Sequence, residues 1–189
     1  VEKTNWTVNI TETSIAGLVI LEPRVFADSR GSFHESFNKK TFNQLVTDTN
    51  FVQDNQSTSA KNVLRGLHFQ TPPFAQAKLV SVVRGSALDV AVDLRKDSRT
   101  YGQWESVKLT GDNKKQFFIP RGFAHGFLAL EEGTLFCYKC DNFYSKEHED
   151  SLMWNDPDLN IDWGVSEPLL SEKDLEAKQF NGYNSPFSL

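Results

Sequence analysis

The chain has 189 residues, 39% hydrophobic and 24% charged, with a formal net charge of -5. This length fits a single domain, residues 1–189, that buries roughly 70% of its unfolded surface, and the negative charge argues against a nucleic-acid partner, which would call for a basic surface. No apolar run approaches the roughly 18 residues that span a bilayer, and Val1-Glu2-Lys3-Thr4-Asn5-Trp6 has no basic start leading into an apolar stretch, so neither a membrane span nor a signal peptide is expected.

Turn signals divide the chain into short β-rich stretches: Ser29-Arg30-Gly31, Thr71-Pro72-Pro73, Arg84-Gly85-Ser86, Thr110-Gly111-Asp112-Asn113 and Glu131-Glu132-Gly133. The first predicted strand covers 18–26. A short amphipathic helix follows, capped by Asn38, with Phe42, Leu45 and Val46 on one face. Strands are then predicted at 51–57, 63–69, 78–83, 87–94, 102–109, 115–119, 125–129 and 134–140. The 87–94 stretch alternates, placing Asp89 and Asp93 on one face, whereas Gln116-Phe117-Phe118-Ile119 reads as a core strand. A second helix opens at Ser171-Glu172-Lys173-Asp174 as a capping box, with Ser171 at N-cap and Asp174 at N3. The tail after Gln179, from about residue 180, is expected to lie loosely on the surface. Many short strands with few helices predict an all-β sandwich or barrel.

Two histidine segments look alike: Asn62-Val63-Leu64-Arg65-Gly66-Leu67-His68-Phe69-Gln70 and Ile119-Pro120-Arg121-Gly122-Phe123-Ala124-His125-Gly126-Phe127. In each, a hydrophobic run reaches an arginine and a glycine, then a histidine. The layout predicts two strands delivering imidazoles into one cavity. A transition metal there needs three or four ligands, and the set falls at least one short, with His34 the remaining recruit beside a turn. Cys137 and Cys140 form a C-x-x-C, but on a strand they face opposite sides, as ordinary reduced cysteines do.

Without a metal, an imidazole serves as a base, since its ordinary pKa is about 6.5 and a carboxylate on its other nitrogen fixes the tautomer. Asp89, Asp93 and Asp174 are all open as that carboxylate. The plain alternative for each histidine is a buried, hydrogen-bonded structural role. Arg30, Arg65, Lys78 and Arg121 are candidates for a phosphate-binding patch, or else form scattered surface ion pairs. Tyr138 is expected inside the barrel and Tyr144 at its mouth, while His148 is expected in solvent.

Phe51-Val52-Gln53-Asp54-Asn55, the 62–70 segment, Asp89-Val90-Ala91-Val92-Asp93-Leu94-Arg95, Tyr101-Gly102-Gln103-Trp104 and the 119–127 segment together closely resemble the dTDP-4-dehydrorhamnose 3,5-epimerase family. The likeness runs from about Leu18 to Asp174. It implies a cupin-type jelly-roll barrel, a homodimer, a cytoplasmic setting, and no metal or organic cofactor. The implied reaction converts dTDP-4-dehydro-6-deoxy-D-glucose to dTDP-4-dehydro-L-rhamnose by inverting C3 and C5, whose hydrogens the C4 ketone acidifies.

By resemblance, His68 is the base, Asp174 its carboxylate partner, Tyr138 the acid on the opposite face, and Lys78 the cation at the C4 oxygen. The resemblance makes Arg30, Glu35, Gln53, Asp54, Asn55, Arg65, His125, Glu149 and Lys173 ligand contacts, and Tyr144 the ring that stacks on thymine. Ala77 stands where a glycine is common, and Phe74 and Ala75 where the loop is usually more polar; neither change removes a catalytic group. Close relatives invert one carbon only, so a mono-epimerase is the nearest rival. A metal-dependent cupin enzyme and a non-catalytic sugar-nucleotide binder are the others.

Overall fold

The computed structural model describes residues 8–189. In chain order the strands are β1 (Asn9–Glu12), β2 (Val19–Glu22), β3 (Phe26–Asp28), β4 (Gly31–Phe33), β5 (Gln53–Ser59), β6 (Leu64–Gln70), β7 (Lys78–Arg84), β8 (Ser86–Asp93), β9 (Trp104–Thr110), β10 (Gln116–Ile119), β11 (Phe123–Ala129), β12 (Thr134–Cys140) and β13 (Glu149–Ser151). Two short helices, α1 (Lys39–Leu45) and α2 (Glu172–Leu175), and a single 3-10 turn at Lys146–His148 accompany them.

The strands form a jelly roll. One sheet runs β1-β2-β10-β7-β12-β5 and the facing one β13-β6-β11-β8-β9, while β3 and β4 make a separate hairpin. Alternation sends Val80 and Val82 of β7, Phe117 and Ile119 of β10 and Phe136 of β12 toward Ala87, Ala91, Val107, Leu109, Phe123 and Phe127 of the opposite sheet. Phe127 and Phe136 stack across the two sheets at 4.0 Å. This apolar packing fills much of the interior, and polar side chains occupy what remains.

Both outer faces are also covered in part. Val90, Val92, Leu94, Ala124 and Leu128 pack under Leu152, Leu159, Trp163 and Phe187, so β11 is buried along its whole length and loses the alternation of a half-exposed strand. On the other sheet, Val19, Leu21, Leu79 and Phe118 lie beneath Phe42 of α1. Asn38 caps α1 through its side chain, which accepts from the Thr41 amide.

Three expectations change. The predicted strand at 18–26 splits into β2 and β3, because Pro23 has no N–H for the ladder, and the turn at Ser29-Arg30-Gly31 closes the β3–β4 hairpin, whose second strand went unpredicted. The tail does not lie loosely: Phe187 is buried, Ser185 donates to the Leu94 carbonyl, and the Lys96 amide donates to the Phe187 carbonyl. An aromatic anchor and backbone pairing outweigh its turn-rich composition. His148 is half-buried, its ring tilted against Phe74 at 4.6 Å and bonded through Nδ1 to Ser145 Oγ at 2.9 Å.

Candidate active site

His68 and His125 are direct partners across β6 and β11. The strands pinch there: a Cβ on Gly66, whose φ is +141°, would lie 2.4 Å from the Gly126 Cα, and the register shifts between His125 and Phe127. Only glycine fits that approach and that backbone angle. The glycine that meets Gly66 is Gly126, which follows His125; Gly122, the counterpart of Gly66 in the sequence pattern, packs against Arg95 and Phe187 instead.

His68 Nε2 lies 2.6 Å from Asp174 Oδ1. Asp174 is only 2% exposed, and its second oxygen accepts from Ser171 Oγ at 2.6 Å and from the Ser171 amide at 3.4 Å. The capping box and the histidine pairing therefore coexist, one carboxylate oxygen serving each. Burial works to raise the Asp174 carboxyl, but the bonds from His68 and Ser171 outweigh it and hold the group below its ordinary value.

His125 pairs differently. Its Nε2 meets Asp89 Oδ2 at 2.9 Å from the neighbouring strand, with side-chain exposures of 8% and 0%. Among the described residues nothing hydrogen-bonds to the buried Asp89 Oδ1. Burial pushes the Asp89 carboxyl up and the His125 imidazole down, against their mutual attraction, so both groups are drawn toward the uncharged form.

The opposite sheet presents Lys78 of β7 and Tyr138 of β12, with the ammonium 5.9 Å from the centre of the phenol ring. Burial lowers the Lys78 ammonium, while Cys140, Asp89 and Glu149 oppose that shift. Burial also raises the Tyr138 phenol, with the charge of Arg65 acting in the other direction. Cys140 is buried beneath them, its thiol pushed up to about 11. It does not share a face with Cys137, and neither is in a disulfide.

Around the rim, Arg65 Nε donates to Ser59 Oγ at 3.3 Å, and Gln53 bonds Asn55 at 3.1 Å. Glu149 is a hub, accepting from Tyr144 Oη at 3.0 Å and pairing with Lys173. Burial works to raise its carboxyl, but Lys173 and Tyr144 hold it below the ordinary value. Among the described residues, no three His, Cys, Asp or Glu side chains gather as a metal-binding group, and each of the two cavity histidines has Nε2 committed to a carboxylate.

The His68–Asp174 pair on one sheet and the Lys78–Tyr138 pair on the other are groups chemically able to take and give protons. The sequence profile described as dTDP-4-dehydrorhamnose 3,5-epimerase matches residues 12–182. The chain belongs to this family. The dTDP-4-dehydrorhamnose 3,5-epimerase of Shigella flexneri is 51% identical over 174 residues, covering 92% of this chain and 96% of that protein. The crystal structure of the dTDP-6-deoxy-D-glucose-3,5-epimerase of Legionella pneumophila, in complex with dTDP-4-keto-L-rhamnose, is 50% identical with a TM-score of 0.90, covering 93% of this chain and 94% of that one. A 3'-monoepimerase from Streptomyces bikiniensis, in complex with dTDP-quinovose, is similar at 37% identity and a TM-score of 0.84, over 88% of this chain and 85% of that one.

Not every residue that the epimerase resemblance singles out gathers here. His68, Asp174, Lys78, Tyr138, His125, Arg65, Gln53, Asn55, Glu149, Lys173 and Tyr144 line or border one cavity region, linked by the contacts above. Arg30 projects from the β3–β4 hairpin and pairs with Asp28, Glu35 lies beside α1, and Asp54 points outward to Lys139 at 2.8 Å. Arg121 forms an ion pair with Asp141 at 2.9 Å instead of joining a cation patch. Sequence reasoning missed Ser171 as the group that orients Asp174, although the capping pattern contained the clue, and it left Asp89 open as a partner for His68 when it serves His125.

Proposed function

We propose that this chain inverts C3 and C5 of dTDP-4-dehydro-6-deoxy-D-glucose to give dTDP-4-dehydro-L-rhamnose. The observation that carries the reading is the division between sheets: the His68–Asp174 pair comes from the five-stranded sheet and α2, the Lys78–Tyr138 pair from the six-stranded sheet. A sugar ring held between them meets a base on one face and an acid on the other, the arrangement that inversion alpha to a ketone requires. His68 takes the proton, and Asp174, held ionised by its hydrogen bonds, orients the imidazole and stabilises its charged form. Lys78 stabilises the enolate oxygen as charge develops at C4. Tyr138, kept protonated by its raised pKa, returns a proton to the opposite face.

Arg65, Lys173, Gln53, Asn55, His125 and Glu149 border the nucleotide and sugar, and Tyr144 stacks on thymine. Arg30 and Glu35 sit apart in this chain, on or beside a segment with exposed Val25, Phe26 and Phe33. A homodimer in which a second copy carries that segment to the barrel mouth accounts for both the separation and the exposed apolar side chains. On this reading residues 8–189 form one enzymatic domain that works in the cytoplasm, where sugar nucleotides are made.

Identity near 50% to 3,5-epimerases, against 37% to the monoepimerase, favours two centres. The test is turnover of dTDP-4-dehydro-6-deoxy-D-glucose in D₂O with the product read by NMR. Deuterium at both C3 and C5 is expected, and label at one carbon alone would reduce the enzyme to a mono-epimerase.

A further inference from the structure

Tyr144 lies 53% exposed in the 141–145 loop, which has no helix or strand of its own. An exposed ring on such a loop makes a poor stacking platform unless its backbone is fixed, because ordering it on binding would consume affinity. The structure fixes it from below. Gln70, two residues beyond His68 on β6 and 4% exposed, accepts from the Ser145 amide at 2.7 Å and donates to the Phe143 carbonyl at 3.1 Å. Those two groups flank Tyr144 on either side. The second amide hydrogen of Gln70 goes to the Phe74 carbonyl at 3.2 Å, tying in the neighbouring 71–77 loop. The Tyr144 amide donates to Gln53 Oε1 at 3.1 Å.

We propose that Gln70 is a positioning residue for nucleotide binding: its side-chain amide staples the backbone on both sides of Tyr144 to the strand that carries His68. An apolar residue of the same size would fill the space but take the partner from the Ser145 amide and the Phe143 carbonyl and release the loop. The staple lets one strand fix both the base and the ring, and so the distance between the reacting carbon and the nucleobase. The inference rests on the proposed stacking of Tyr144 on thymine.

The experiment is calorimetric titration with dTDP together with steady-state kinetics on Gln70→Leu, Gln70→Glu, Tyr144→Ala and the Gln70→Leu/Tyr144→Ala double variant. Gln70→Leu should raise the dTDP dissociation constant and KM about tenfold, with kcat within about twofold. Gln70→Glu keeps the acceptor for Ser145 but sets a carboxylate oxygen against the Phe143 and Phe74 carbonyls at a buried site, so its loss should be at least as large, about tenfold or more. It also decides the matter if the leucine variant does not fold. The double variant should bind no more weakly than Tyr144→Ala alone, since both act on one ring.

Additive losses, or a fall in kcat with dTDP affinity unchanged, would overturn the proposal. Gln70 variants that bind dTDP normally while Tyr144→Ala does not would sink the staple alone. Normal dTDP binding by Tyr144→Ala would take the stacking reading down with it.

Discussion

The two histidine–aspartate pairs of the barrel sit side by side and share almost every local feature. Both imidazoles use Nε2, both meet an aspartate oxygen within 3 Å (2.6 and 2.9 Å), and the two residues face each other across adjacent strands. They differ in where the aspartate comes from and what else it touches. Asp174 arrives from a helix turn, has both oxygens bonded, and leaves His68 27% exposed to the cavity. Asp89 comes from the next strand, has one oxygen unmatched among the described residues, and lies with His125 almost wholly out of solvent. A similar contact thus yields an ionised carboxylate behind an accessible imidazole in one place, and a pair drawn toward neutrality in the other.

Function should divide along the same line. His68→Ala should lower kcat by about 10⁴-fold, the upper range for a lost general base, with dTDP affinity retained. His125→Asn should act mainly on KM. Steady-state kinetics on both variants checks this, and equal kcat losses would erase the distinction.

Stability should divide the opposite way. Asp89→Ala leaves the buried His125 Nε2 unpaired and a space beside it, and should cost about 3 kcal/mol in urea unfolding. Asp174→Ala loses half of a capping box and leaves the part-exposed His68 Nε2 to water, at a cost of about 1 to 2 kcal/mol. The catalytic effect of the isosteric changes is third in size: Asp174→Asn should reduce kcat about 100-fold by leaving His68 without a charge partner, and Asp89→Asn much less.

The smallest effect is in acid. Asp174 has a folded pKa below its ordinary 3.8, so its contribution to stability is complete above that value and disappears as pH falls through the lowered one. Asp89 is raised, so the folded chain holds its proton where the unfolded chain releases it, and its contribution falls as pH rises from 3.8 through the raised value. Urea midpoints across the acid range should show a shallower acid loss for Asp174→Asn than for the parent. An unchanged acid limb would mean that Asp174 is no better held in the folded chain than in the unfolded one.

Legibility in the sequence followed how local each determinant is. Alternation revealed β8, β-rich stretches between turn signals revealed β7 and β12, and the caps at Asn38 and Ser171 announced both helices. The amphipathic face of α1 was readable because Phe42 answers a helical period. β1 was not legible, being four mostly exposed residues held by β2. The packing of the tail was also hidden, because one phenylalanine among turn residues reports nothing about the surface it meets.

From the sequence alone came an all-β barrel, a histidine suited to act as a base, and motifs dense enough to point to one family, since side-chain period, turn chemistry and residue type are written locally. The family motif named Asp174 as the partner of His68; tertiary structure showed that contact and gave Asp89 to His125, which the residues alone had left open. His68 and Asp174 are 106 residues apart, and only the docking of α2 against the pinched β6 strand brings them within a hydrogen bond. Tertiary structure also placed His68 and Tyr138 on opposite sheets while Arg30 and Glu35 stand away from them. Charge partners at such separations depend on how the whole chain packs, so periodicity and spacing could not choose among the aspartates, and only the family motif pointed to one.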